Sequence, residues 1–202
     1  MKLGSVFTKH KCDKSKKHQY DVVYEKYFDQ DKELKILEVG IFRGESMNAH
    51  LEYLPKATLY GIDLFDRIKP EYIPVLEDPR VNWISSSSMA EELPDLIREK
   101  WGDIKFDIII DDGAHWPEAN RLTLHNLKDF LKDDGVYFIE DVWPIEDMDI
   151  TKNHWTKARP ERYNEKDNDI FLDYIKQFIV ERYDHRIITG NADSYIIKLT
   201  KK

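Results

Sequence analysis

The chain has 202 residues, with 31 Lys plus Arg against 39 Asp plus Glu and a formal net charge of −8. That length predicts one domain with a full hydrophobic core, and an aromatic content of 12% argues against disorder. The acidic balance disfavours a nucleic-acid partner, which needs a basic footprint. The single Cys12 excludes an intramolecular disulfide and any multi-cysteine zinc site. No apolar run approaches the ~20 residues that cross a bilayer, and MKLGSVFTKHKCDKSKK lacks the apolar centre of a secretory signal. The expectation is a cytoplasmic protein with no membrane partner.

In chain order, the opening to Lys17 is lysine-rich with little periodicity, and Lys9, Lys11, Lys14, Lys16 and Lys17 read as a solvated basic run. In HQYDVVYEKYF, Tyr20, Val23, Tyr24, Tyr27 and Phe28 fall at helical spacing and predict a helix packed on the domain or over its site. KILEVG reads as a buried strand, GESMNAHLEYL as a helix, ATLYGID and VNWIS as strands, and MAEELPDLIREKW as a helix that Pro94 breaks in two. FDIIID is a fourth strand, PEANRLTLHNLKDFL a helix with Pro117 in its first turn, and GVYFIED a fifth strand. Such alternation predicts an α/β fold, a mostly parallel sheet with helices on both faces. The segment 142–168 has no clear period but carries aromatics, and reads as a substrate loop. DIFLDYIKQFIVERY reads as an amphipathic helix, and HRIITGNADSYIIKLT as an antiparallel hairpin turned around Gly190 and Asn191. The expected plan is one domain: an arm over 1–33, a cofactor core over 34–141, the loop over 142–168, and a helix with hairpin over 169–202.

In an open parallel sheet, ligands bind beyond the carboxyl ends of the strands. After the first strand, Gly40 and Gly44 permit a tight turn against a ligand, ahead of the exposed N–H groups of a helix. Asp63 ends the second strand 23 residues after Gly40, where an acid can accept ribose hydroxyls. The spacing is E-x-G-x-x-x-G rather than G-x-G-x-x-G, which favours S-adenosylmethionine over a nicotinamide dinucleotide. Beyond the fourth and fifth strands stand Asp111-Asp112 and Glu140-Asp141. A lone pair of acids is commonly a cap or a solvated turn. Two pairs at two strand ends predict that Asp112, Glu140 and Asp141 gather around a hard cation, Mg²⁺ or Mn²⁺. His115, with an unperturbed pKa of roughly 6.5, reads as a general base there, although a lone histidine is often a core or capping residue.

The assembly LEVGIFRGES, YGID, IIIDDGAH and GVYFIEDVWP resembles the metal-dependent sugar O-methyltransferases related to the macrocin and mycinamicin enzymes. DKSKKHQYDVVYEKYF is similar to the Asp-Lys…His-x-Tyr…Tyr segment that precedes the core in that family. The resemblance runs from about Asp13 to Pro144. It implies a Rossmann-like class I methyltransferase in which Asp112, Glu140 and Asp141 hold Mg²⁺ and His115 is the base. It places Glu38, Gly40, Ser46 and Asp63 along the S-adenosylmethionine site, with Asp111 and the Ser85 to Ser88 run, including Ser86, close by. Tyr20 and His18 would belong to an arm near cofactor or acceptor. The SSSSM after the third strand departs from the acidic or amide residue expected at adenine. The chain is also shorter than the antibiotic-tailoring members, which carry an extra N-terminal region linked to their assembly. A fainter likeness is to the C-terminal unit of a multidomain chlorovirus protein that decorates rhamnose in a capsid glycan, which would put the chain in a host cytoplasm.

The implied reaction is methyl transfer to a sugar hydroxyl, for instance on a deoxyhexose such as rhamnose in a glycan. Trp116 and Trp143, together with His154 and Trp155 of the loop, are candidate acceptor contacts. Arg159 and Arg162 read more readily as solvated loop. Open alternatives are a catechol-type O-methyltransferase, a nicotinamide oxidoreductase and a non-catalytic interaction domain.

Overall fold

The computed structural model describes residues 1–143 and 159–202. Its centre is a seven-stranded sheet in the order β3-β2-β1-β4-β5-β7-β6. The strands are β1 (Lys35–Val39), β2 (Thr58–Asp63), β3 (Val81–Ser85), β4 (Phe106–Asp111), β5 (Leu131–Ile139), β6 (Phe178–Asp184) and β7 (Tyr195–Lys201). The first five are parallel, while β7 runs antiparallel to both β5 and β6. KILEV and FDIIID form the two central strands because near-continuous apolar runs suit a sheet covered on both faces. Alternation then sorts each strand between two cores. Ile36, Ile108 and Ile110 face one cluster, and Leu37, Val39 and Ile109 face the other.

Behind the first cluster lie α1 (Leu3–Lys9), α2 (Asp13–Lys16), α3 (Asp21–Tyr24) and α4 (Glu45–Tyr53). The second is covered by α5 (Leu93–Trp101), α6 (Pro117–Leu127) and α7 (Glu165–Ile175). Asn164 caps α7, its side chain accepting from the Asp167 amide at 2.9 Å, as an N-cap asparagine does. Strand order reverses between β1 and β4, which opens a crevice at their carboxyl ends.

Five local expectations are corrected. The lysine-rich opening is helical: Leu3, Val6 and Phe7 bury one face of α1 against α4. Pro94 starts α5 rather than breaking it, since a first-turn proline forfeits no intrahelical bond. The helix read through Tyr183 ends at Ile175, and Phe178 onward pairs with β7 in the register Phe178↔Lys201 to Asp184↔Tyr195. The hairpin joins β6 to β7 through a short α8 (Arg186–Thr189), closed by Gly190 in the left-handed region. In HQYDVVYEKYF only Asp21–Tyr24 is α-helical, yet Tyr20, Val23, Tyr24 and Phe28 are buried.

Candidate active site

The parallel register sets the ends of three strands side by side, Val39 beside Asp111 and Asp111 beside Ile139. Backbone bonds carry the alignment one residue further, with the Asp112 amide donating to Val39 at 3.0 Å and the Glu140 amide to Asp111 at 2.9 Å. Glu38, Asp111, Asp112, Glu140 and Asp141 therefore share one rim. Gly40 makes the close packing possible. It has φ +88°, and a Cβ there would lie 2.2 Å from the carbonyl oxygen of Asp112. His115 and Asp141 also hold left-handed backbone, at φ 60° and 50°. Such conformations in non-glycine residues cost energy and cluster at functional sites.

On the side of β1 and β2, Ser46 Oγ donates to Glu38 Oε1 at 2.6 Å and ties β1 to the start of α4. Gly44, at φ 76°, caps that helix. Asp63 Oδ2 accepts from the amides of Ile41 (2.7 Å) and Phe42 (2.9 Å), and Oδ1 from Phe65 at 2.7 Å. Those bonds use three of the roughly four lone-pair sites of a carboxylate, so a ribose would share Asp63 with the glycine loop. The Ser86 amide donates to the Asp63 carbonyl, which places the serine run beside β2. Two buried oxygens on this side, Glu38 Oε2 and Asp111 Oδ2, have no hydrogen-bond partner among the described residues. Burial raises the Glu38 carboxyl and pushes that of Asp111 up to about 7.

On the opposite side, Asp112, His115 and Asp141 each bring a ligand-capable atom within 4.8 Å of the others. His115 Nε2 lies 3.6 Å from Asp112 Oδ1, and its Nδ1 lies 3.4 Å from the Glu140 carbonyl, a long contact. Glu140 does not join this group. Its side chain turns to the N-terminal arm, where Tyr24 donates to Oε1 and Lys14 to Oε2 at 2.6 Å. Burial raises its carboxyl well above the usual range, with Lys14 opposing. Tyr20 donates to Asp141 Oδ1 at 2.7 Å and stacks on His18, whose Nδ1 meets Ser194 Oγ at 2.9 Å.

Tyr20 thus reaches the carboxylate rim. Trp116 is half-buried with the Arg162 guanidinium 4.4 Å over its ring, so one face that a sugar would use is covered. Trp143 meets Tyr163 edge-on at 6.3 Å. His154 and Trp155 lie outside the described residues.

Lys14 is the site residue that composition misread. It stands in a basic run but is only 2% exposed, among Glu38, Asp112 and Glu140. Burial opposes its charge, yet the three carboxylates hold its pKa well above the ordinary value. Tyr24 likewise does more than fill the apolar face its spacing predicts, since its hydroxyl donates to Glu140. The available signal for both was the Asp-Lys…His-x-Tyr…Tyr pattern of the arm.

The strand order, five parallel strands followed by an antiparallel β7 and β6, is that of the Rossmann-like class I methyltransferase fold. Among solved structures, the chain is similar to the MycE methyltransferase in complex with Mg, SAH and mycinamycin VI (TM-score 0.71, 19% identity, 100% of this chain and 53% of that one). It is also similar to the SAH-bound methyltransferase PaMTH1 of Podospora anserina (TM-score 0.68, 17% identity, 99% and 87%). No family model matches the chain.

Among curated proteins, it is 26% identical over 135 residues to the mycinamicin VI 2''-O-methyltransferase of Micromonospora griseorubida, covering 62% of this chain and 32% of that protein. Against a rhamnosyl-tetracenomycin C 2'-O-methyltransferase of Streptomyces olivaceus it is 27% identical over 159 residues, covering 70% and 39%. The L-olivosyl-oleandolide 3-O-methyltransferase of Streptomyces antibioticus is 30% identical over 129 residues, with 57% and 31% covered. The chain therefore spans about a third of the length of the curated relatives it matches. No helix among the described residues is long and apolar enough to cross a membrane.

Proposed function

We propose that this chain transfers a methyl group from S-adenosylmethionine to a sugar hydroxyl with the help of a divalent cation, Mg²⁺ or Mn²⁺. The observation that carries this reading is the convergence of Asp112, His115 and Asp141 at the ends of β4 and β5, beside the Gly40 turn and Asp63. Similarity to enzymes that methylate sugars of glycosylated antibiotics supports the acceptor class. The donor set fits a hard cation: oxygen ligands from Asp112 and Asp141, with Glu140 as the third acid, reaching it only with an oxygen that the arm now engages.

When bound, such an ion lowers the pKa of a hydroxyl it touches and offsets the charge of the resulting oxyanion. The rest of the work falls to the chain. The glycine loop, Glu38 with Ser46, and Asp63 hold the cofactor against the crevice. His115, with Nδ1 turned to the Glu140 carbonyl, presents Nε2 as the proton acceptor. The acceptor oxygen attacks the methyl carbon and the sulfur–carbon bond breaks with its electron pair going to sulfur. The hydroxyl proton passes to His115, leaving a methyl ether and S-adenosylhomocysteine. Positioning and charge stabilisation account for most of the rate. Trp116, Trp143 and His154 are the proposed acceptor contacts, and a deoxyhexose such as rhamnose is the proposed sugar.

Calorimetric titration with S-adenosylhomocysteine, with NAD as control, tests the cofactor. Methyl transfer to rhamnosides and to a catechol, with and without Mg²⁺, tests the acceptor. Absence of S-adenosylhomocysteine binding by folded protein rejects the methyltransferase reading. Transfer to the catechol but to no sugar rejects the acceptor class.

A further inference from the structure

Lys14 comes from α2, far from the rim in sequence, yet its Nζ lies 2.5 Å from Asp112 Oδ2, 2.6 Å from Glu140 Oε2 and 3.5 Å from Glu38 Oε1. An ammonium has three donors and no acceptor, and here it meets carboxylates from the ends of three adjacent strands. The same arm also reaches the acids at the end of β5. Tyr24 donates to the second oxygen of Glu140, and Tyr20 to Asp141 Oδ1. The contact also divides the oxygens of Asp112, since Oδ2 faces Lys14 while Oδ1 lies 3.6 Å from His115 Nε2.

We propose that Lys14 is a positioning residue for the divalent-cation site, holding Asp112 and Glu140 so that the free oxygen of Asp112 is aimed at the group it forms with His115 and Asp141. This rests on the metal-dependent reading above. Outer hydrogen bonds of this kind orient ligating side chains, and their loss typically costs on the order of 10–100-fold in metal affinity. The competing idea is that the ammonium merely fills the place of the cation. Two features speak against it. Although Lys14 touches Asp112 and Glu140, two of the three proposed ligands, it also uses Glu38, which is not one of them, and its carboxylate contacts do not include Asp141.

The test is a Mn²⁺ titration followed by the electron paramagnetic resonance of the free ion, with S-adenosylhomocysteine calorimetry alongside. It compares wild type, Lys14→Met and Tyr24→Phe. Met matches the unbranched lysine chain as far as Cε and lacks its donors. Phe keeps the ring stacked on Phe28 and edge-on to Phe138 and removes only the hydroxyl. Lys14→Met is expected to weaken Mn²⁺ binding by about 10–100-fold and, because Nζ also faces Glu38, to weaken S-adenosylhomocysteine binding by a smaller factor, whereas Tyr24→Phe weakens Mn²⁺ binding less and binds S-adenosylhomocysteine as wild type does. Unchanged or tighter Mn²⁺ binding by Lys14→Met overturns the proposal, tighter binding meaning that the ammonium competes with the cation. An equal loss of S-adenosylhomocysteine affinity also overturns it, because Lys14 would then be a structural anchor. If Lys14→Met does not fold by circular dichroism, Tyr24→Phe decides on the same criteria. Wild type that binds S-adenosylhomocysteine but no Mn²⁺ overturns the metal reading and this role with it, whereas wild type that binds both, with unaffected variants, overturns this role alone.

Discussion

His50 gives the structure a measurable pH signature. It lies on α4 at 1% exposure, edge-on to Phe7 of α1 at 5.6 Å and to Phe28 at 5.1 Å. Among the described residues its Nε2 is buried without a hydrogen-bond partner, Glu38 Oε2 stands 3.9 Å from Nδ1, and Lys14 is a nearby cation. Burial first, then Lys14, lowers its pKa from 6.5 to about 3. The folded state thus keeps His50 neutral where the unfolded chain takes up a proton, so stability falls as pH drops from 6.5 towards 3. Linkage gives ~1.4 kcal/mol per pH unit in that window, or about 2 kcal/mol between pH 7 and pH 5. Glu38, Asp111 and Glu140, whose raised pKa values act in the opposite direction, are present in both proteins and cancel to first order in a comparison. Urea unfolding of wild type and His50→Leu at pH 7 and pH 5 reads the effect. Wild type is expected to lose about 2 kcal/mol more than the variant over that interval. The same stability gap at both pH values would refute a neutral, desolvated imidazole between the arm and α4.

The chemistry gives three further predictions. His115→Ala is expected to slow methyl transfer by about 10²–10⁴-fold while leaving S-adenosylhomocysteine binding intact; a rate unchanged across pH would remove it as the base. Asp112→Ala and Asp141→Ala are each expected to abolish metal-dependent turnover, measured as Mg²⁺-stimulated transfer of a labelled methyl group, and residual Mg²⁺ stimulation would exclude that residue from the cation site. Gly40→Ala places a Cβ 2.2 Å from the Asp112 carbonyl at φ +88°. With ~1–2 kcal/mol for the left-handed backbone and ~1–3 for the clash, it should lose about 2–5 kcal/mol of stability. An unfolding midpoint equal to wild type would mean that the loop yields freely.

The central strands were legible because KILEV and FDIIID are largely apolar on both faces, and the acid pairs because Asp111-Asp112 and Glu140-Asp141 stand at the carboxyl ends of β4 and β5. Parallel pairing then dictates that the strand ends meet. The β6 edge was hidden for a physical reason. Phe171, Ile175 and Phe178 continue one helical stripe, and only antiparallel pairing with β7 turns Phe178–Asp184 into a strand. Local sequence carries no record of that distant partner. Pro94 was ambiguous in kind: the same residue breaks a helix interior and favours a first turn, and the choice depends on where the helix starts. Lys14 was misread because burial of a charged side chain depends on partners roughly a hundred residues away.

The arm explains why the sheet motifs alone do not complete the site. Topology forces Glu38, Asp112 and Glu140 together at adjacent strand ends, and Glu38 and Glu140 are 1% exposed, beyond the reach of solvent to offset their charge. The cation in contact with all three is Lys14, delivered by a segment that precedes β1. Leaving such buried acids without their partner costs about 3–5 kcal/mol, a large part of the stability of an ordinary domain. Apolar contacts hold the segment in place, with Leu3, Val6 and Phe7 packed on α4 and Tyr24 on Phe138. A rim of carboxylates close enough to grip a divalent ion repels itself, and a fixed ammonium on one side relieves that repulsion while leaving the other side open. On the proposed function the arm is a working part of the site, because Lys14 and Tyr20 engage the carboxylates of Asp112 and Asp141 that would hold the cation.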